Sequence, residues 1–160
     1  MKKLVGTLGI AGVILIVGGV VRAEPPSGVT PTLLARGTYL PFQIKTGPHA
    51  LIDFQAKAKS LVDVVVRRHD YAPYSSTGWH QHPGPVFITV QSGTLTFYEA
   101  DDPTCYPHIV RAGEGYVDSG NGHVGRNESS EPAVDYSVIM AATGIVAFRT
   151  DIAPPGNCPF

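Results

Sequence analysis

Basic residues are scarce: twelve Lys and Arg stand against thirteen Asp and Glu in 160 residues, a formal net charge of −1. A nucleic-acid or anionic-membrane partner calls for a basic stripe, and this chain has none. Helical periodicity is also missing after the N-terminal run; no stretch holds a 3.6-residue apolar pattern for three turns. The serines at 75, 76, 119, 129 and 130 lie in turns without a histidine and acid arranged around any of them, which excludes a recognisable nucleophile triad. No glycine-rich phosphate loop precedes a helix. There is no internal repeat, low-complexity tract or second domain.

What is present begins with a leader. Lys2 and Lys3 precede an uncharged run from Leu4 to Val21, and Val21-Arg22-Ala23 offers small residues where a signal peptidase reads. Cleavage is expected after Ala23, making residues 1–23 a signal peptide. The run approaches the length that spans a bilayer, so an uncleaved anchor is the alternative. Either reading exports the domain to the periplasm, cell surface or medium, with no other membrane contact. Without residues 1–23, nine basic residues face thirteen acidic ones, a formal charge of −4. Residues 24–160 suit one domain, large enough to bury a core without a metal or disulfide. A homodimer stays open.

Export changes how the two cysteines read, because thiols pair in an oxidising compartment. Cys105 follows the turn-rich Asp101-Asp102-Pro103-Thr104, and Cys158 lies in the tail Pro154-Pro155-Gly156-Asn157-Cys158-Pro159-Phe160. A Cys105–Cys158 bridge would pin that tail; two unpaired buried thiols are the alternative.

Glycine and proline, eighteen and fourteen residues, punctuate the rest into short β-rich runs. These are Leu61 to Arg67, Val86 to Gln91, Thr94 to Tyr98, His108 to Val110, Val134 to Met140 and Ile145 to Arg149. Leu51 to Val62 reads as two strands, beginning at Ile52 and Leu61, in preference to a helix. Glu24 to Thr30 reads as an extended leader without structure of its own, within an N-terminal segment 24–40 that precedes a β-barrel domain at 41–160. The pattern predicts an all-β, single-domain jelly-roll barrel of six to eight strands.

Three histidines carry the functional signal. His80 and His82 form a His-x-His pair, which on a strand points both imidazoles to one side, and His123 from another strand completes one face of a metal ion. Imidazole-only ligation suits Fe(II), Zn, Ni or Cu. His49, His69 and His108 lack a partner at ligand spacing and read as surface or strand histidines.

Gly78-Trp79-His80-Gln81-His82, followed by Pro83-Gly84-Pro85 and Gly93, is similar to the first cupin motif. Gly120-Asn121-Gly122-His123 with Asn127 resembles the second. The cysteine-bearing segments further resemble small exported bacterial cupin-domain proteins (cupin type 2, conserved barrel) with a matching cysteine pair. The resemblance covers roughly residues 61–150 and implies a double-stranded β-helix with His80, His82 and His123 as ligands. Two departures stand out. The glutamate that cupins place after His-x-His is Val86 here, followed by Phe87, and Asp118 stands where the second motif has proline.

Three neutral imidazoles leave a divalent ion its full charge and up to three open positions, which favours Lewis-acid or oxygen-activating chemistry. Around them, Val86, Phe97, Tyr136 and Met140 are the pocket candidates, a mostly apolar wall for a small-molecule ligand. Trp79 has the opposite parity and is expected to pack on the outer face. Asp101-Asp102 reads as a solvated turn, with calcium binding a distant second, and Asn127-Glu128-Ser129 matches a glycosylation acceptor, a pattern too common to carry weight. Two functions remain: an exported protein binding a metal and a small molecule, and a metal-dependent dioxygenase, isomerase or lyase. The missing glutamate resembles the three-histidine arrangement of some cupin dioxygenases. No general acid or base is identifiable at an inward position, so catalytic residues are not assigned.

Overall fold

The computed structural model describes residues 23–160, so the expected leader lies outside the described residues except for Ala23. Twelve strands follow in order: β1 (Ser27–Tyr39), β2 (Phe42–Lys45), β3 (Gln55–Ala58), β4 (Val62–Ser76), β5 (His80–Gln81), β6 (Val86–Ser92), β7 (Thr94–Glu99), β8 (His108–Arg111), β9 (Gly115–Asp118), β10 (His123–Arg126), β11 (Ala133–Ala142) and β12 (Thr150–Asp151). There is no helix among the described residues, and hence none long and apolar enough to cross a membrane. Ten strands form one antiparallel sheet that curls into a nearly closed barrel, while β2 and β3 pair as a separate hairpin. The all-β barrel expected from the sequence is therefore present, with ten strands where six to eight were expected.

β4 is the organising strand. Its valine-rich stretch suits a pleated, half-buried surface, and it pairs with β1 on one side and β11 on the other along most of its length. β11 continues to β6, and β6 to β9. Burial along β11 alternates strictly from Ala133 to Ala141, the signature of one face turned to the interior. The interior core gathers Val65, Tyr71, Val86, Ile88, Val90, Leu95, Phe97, Tyr116 and Ile139. Between β6 and β7 the chain reverses at Gly93, with φ +75°. An added Cβ there would sit 2.8 Å from Ala133 Cβ and from the Pro132 carbonyl oxygen, so only glycine closes this turn.

Two local expectations are corrected. The segment from Glu24 is not an unstructured leader: from Ser27 it forms β1, with Pro31 opposite His69. Pro31 is tolerated because β1 pairs only with β4, and an edge strand can lose an amide donor. Gly28 at φ +69° lies at the register shift between Ser27 and Val29, where a bulge lets the strand start. Conversely, Ile145 to Arg149 is no strand. Both edges of β11 are already taken by β4 and β6, so the chain beyond Ala142 leaves the sheet and re-enters only at β12, beside β5.

A second cluster lies outside the barrel wall. Trp79, Tyr98 and Val124 pack beneath Ala100, Cys105, Ile152 and Cys158. The Cys105–Cys158 disulfide is formed and pins the tail over this face. Trp79 accordingly has the outward parity expected, yet is fully buried.

Candidate metal centre

The site is built on β5 and β10, which pair with His123 directly opposite His80. Cross-strand partners share a face, and the His-x-His spacing puts His82 on that face as well. One ligand-type atom from each of His80, His82 and His123 falls within 4.8 Å of the others. The three rings meet edge to face, with centroids 4.6 to 5.3 Å apart. His80 and His123 are buried and His82 half-buried.

Hydrogen bonds on the far side of two of the rings set which nitrogen faces inward. His80 Nδ1 donates to the Gly78 carbonyl at 2.8 Å and His82 Nδ1 to the Phe148 carbonyl at 2.7 Å. A carbonyl only accepts, so both rings carry their proton on Nδ1 and present a bare Nε2. His123 Nε2 lies 3.2 Å from His80 Nε2. Two nitrogens each about 2.0–2.1 Å from one zinc-like ion would be separated by about this much. Behind His123, Nδ1 is buried without a hydrogen-bond partner, and the Asp118 carboxylate stands 3.7 Å away, its Oδ2 equally unpartnered. Carboxylate behind histidine is the usual outer support of a metal ligand. The donor set, its tautomers and its spacing all fit a divalent transition metal.

Electrostatics agree. Burial, then the positive field of Arg149, lower His80 to a pKa of about 3. Burial likewise depresses His82, and it holds His123 well below its usual value. All three imidazoles are neutral near pH 7, the state that ligates. Burial raises the Asp118 carboxyl.

The cavity in front of the histidines has a volume of about 60 Å³. Val86 and Phe97 line it as expected, Phe97 stacking on Tyr116 at 4.4 Å between centroids. Tyr136 and Met140 do not. Strand parity turns them to the outer face of β11, where Met140 borders a separate groove with Phe42, Pro83 and Pro85. Asp135 and Ser137 take the inward positions instead.

His69 is a strand histidine, on β4, as expected, and it has a partner in Asp135 that the sequence did not show. His69 and Asp135 are cross-strand partners on β4 and β11, with Nδ1 to Oδ1 at 2.8 Å, while Tyr71 donates to Oδ2 at 2.9 Å. Both His69 and Asp135 line the metal-facing cavity. An inward, hydrogen-bonded His–Asp pair therefore exists where none was legible in sequence. His108 lies beside Tyr106 and Tyr116, away from the cavity lining, and His49 is exposed. Asp102 caps the amides of Thr104 and Tyr106, as a turn residue does. Asn127 is buried, its amide donating to the Ala72 and Glu131 carbonyls, which makes it a structural strut and no glycan acceptor.

A family profile described as "Cupin domain" matches residues 67–139. Among solved structures, a cupin domain from Bordetella pertussis Tohama I is 18% identical, covering 74% of this chain and 98% of its own, with a TM-score of 0.49. The polyketide cyclase RemF from Streptomyces resistomycificus is 18% identical over 56% of this chain and 60% of that one, TM-score 0.46. A recombinant oxalate oxidase in complex with glycolate is 30% identical over 52% and 45%, TM-score 0.43. The chain thus spans about 60% of the cyclase and 45% of the oxidase. No curated protein sequence matches the chain.

Proposed function

Since the chain is a member of the cupin superfamily, we propose that it holds one divalent transition metal on Nε2 of His80, His82 and His123 and binds a small molecule in the adjoining cavity. The observation that carries this is the inward convergence of three neutral imidazoles, two with their outer nitrogen fixed by a backbone carbonyl. With Val86 in place of a carboxylate, a bound ion keeps its full charge and supplies Lewis acidity or oxygen activation. Fe(II), Zn, Ni and Cu all suit such a ligand set.

One observation favours turnover over simple binding. His69, oriented by Asp135, faces the same cavity. That arrangement matches a general base held by a carboxylate, able to take or return a proton on a ligand seated between it and the metal. A metal-dependent dioxygenase, isomerase or lyase is the second reading on this ground.

Export is part of the proposal and is supported by the disulfide, a bond that persists in oxidising compartments. Metal analysis of protein loaded separately with each ion tests the main claim: one ion per chain is expected, lost in His80→Ala. Unchanged uptake in that variant would refute it. A panel of small phenols, diketones and thiols then separates enzyme from binder; consumption seen with wild type and lost in His69→Asn supports turnover.

A further inference from the structure

The strand that carries two of the three histidines is bound along its whole length by the segment that follows β11. From Trp79 to His82, the Trp79 carbonyl accepts from the Ile152 amide at 3.0 Å, His80 pairs with Asp151, Gln81 pairs with Thr150, and His82 Nδ1 donates to the Phe148 carbonyl at 2.7 Å. Arg149 adds a bond to the Thr77 carbonyl at 2.9 Å. On its other side the same strand meets β10 at a single pair, His80 opposite His123. A strand of two residues has too few ladder bonds to stand alone, so most of what aligns His80 and His82 comes from residues 148–152.

That segment in turn has few anchors. It leaves the sheet after Ala142, and past Asp151 no residue is in a strand. Its incoming end is fixed by Arg36, which donates to the Ile145 carbonyl at 3.0 Å, and by the Phe148 ring beneath the Arg36 and Arg67 guanidiniums. Its outgoing end is fixed by the Asn157 side-chain amide, which donates to the Glu99 and Asp102 carbonyls, and by the bond from Cys158 to Cys105. Ile152 and Cys158 lie against Trp79, Tyr98 and Val124. Every hydrogen bond in this set competes with water, whereas the disulfide does not. Thr150 and Asp151 are both exposed, and stretches with exposed backbone bonds open locally unless restrained.

We infer that the Cys105–Cys158 disulfide is a positioning element of the metal centre: by tying down the segment after β11 it holds His80 and His82 in ligating geometry, so that metal affinity follows the state of this bond. The inference rests on His80, His82 and His123 being the metal ligands. A dithiol that cleaves the bond delivers two electrons and two protons, leaves two thiols and itself closes to a disulfide. The constraint on residues 148–152 is then released at its outgoing end, and the first contact of the ligand set to loosen is the Phe148 carbonyl on His82.

Zinc affinity by chelator competition, together with long-range proton–nitrogen NMR of the histidine rings in metal-free protein, tests this on wild type and on the Cys105→Ala/Cys158→Ala double variant. Alanines are used because free thiols would themselves take zinc. The double variant is expected to bind zinc about tenfold or more weaker, the scale on which the outer support of a metal ligand acts. In it the His82 ring should lose its fixed Nδ1 proton, while His80, held by the Gly78 carbonyl of its own segment, keeps its own. Should the double variant fail to fold, Ile152→Pro, which removes one amide from this pairing and leaves the disulfide in place, must weaken zinc in the same sense. Wild-type zinc affinity in the folded variants, or equal loosening of His80 and His82, would overturn the inference. A His82 ring freed by the double substitution, in protein that takes up no zinc, would leave it standing while refuting the metal site. Tight zinc binding, equal in both proteins and with His82 unmoved, would do the reverse.

Discussion

Acid should destabilise the metal-free protein through its histidine cluster. His80 is 4% exposed, and its surroundings depress its pKa from 6.5 to about 3. In the unfolded chain the same ring takes up a proton near its ordinary value. Its contribution is therefore fully present above pH 6.5 and is lost as the pH falls toward about 3, because the unfolded state then binds a proton the folded state refuses. At about pH 5 this costs about 2 kcal/mol for His80 alone. His82 and His123 add in the same direction, and the raised Asp118 carboxyl opposes them. Against a typical stability of about 5–15 kcal/mol the effect is large. Urea unfolding of EDTA-treated protein at about pH 7.5 and about pH 5 measures it, wild type beside His80→Asn. The wild type should lose about 2 kcal/mol more than the variant between the two conditions. Equal losses would refute the claim that His80 is buried and neutral.

Three further outcomes follow from the same geometry. Reducing the disulfide, or Cys158→Ser, releases a constraint spanning 53 residues and should cost about 4 kcal/mol in denaturant titration, with Trp79 fluorescence moving toward that of exposed indole. Asp118→Asn removes the carboxylate behind His123 and should weaken zinc binding by about 10–100-fold in a chelator competition, with folding retained. Met140→Ala should leave zinc affinity unchanged, because the side chain faces outward; a loss would contradict the parity of β11.

The histidine trio was legible because its geometry is local. His-x-His parity needs only a strand, and His123 sits in a second glycine-flanked segment that the barrel brings into register. Val86 as the missing carboxylate was legible for the same reason. The rest of the cavity was hidden by a reversed polarity. Along β11 the larger residues Tyr136 and Met140 look outward, while Asp135 and Ser137 look in, so apolarity misidentified the inward set. A signal existed: polar residues at alternate positions of a long central strand are costly unless they serve the interior. His69 could not be assigned, since its partner Asp135 lies 66 residues away and is brought beside it only by the pairing of β4 with β11. The apolar run Ile145 to Arg149 looked like a strand. Having no free sheet edge to join, it instead brings the Phe148 carbonyl to His82 and Arg149 to the cavity.

The proposed function depends first on one ion binding to three imidazoles with no carboxylate in contact. A crystal of zinc-loaded protein, with an anomalous difference map at the zinc edge, shows the ligands themselves. A single peak is expected about 2.0–2.1 Å from Nε2 of His80, His82 and His123, with Asp118 behind His123 and no protein oxygen on the ion. A peak ligated elsewhere, or full zinc loading with none at this trio, would contradict it.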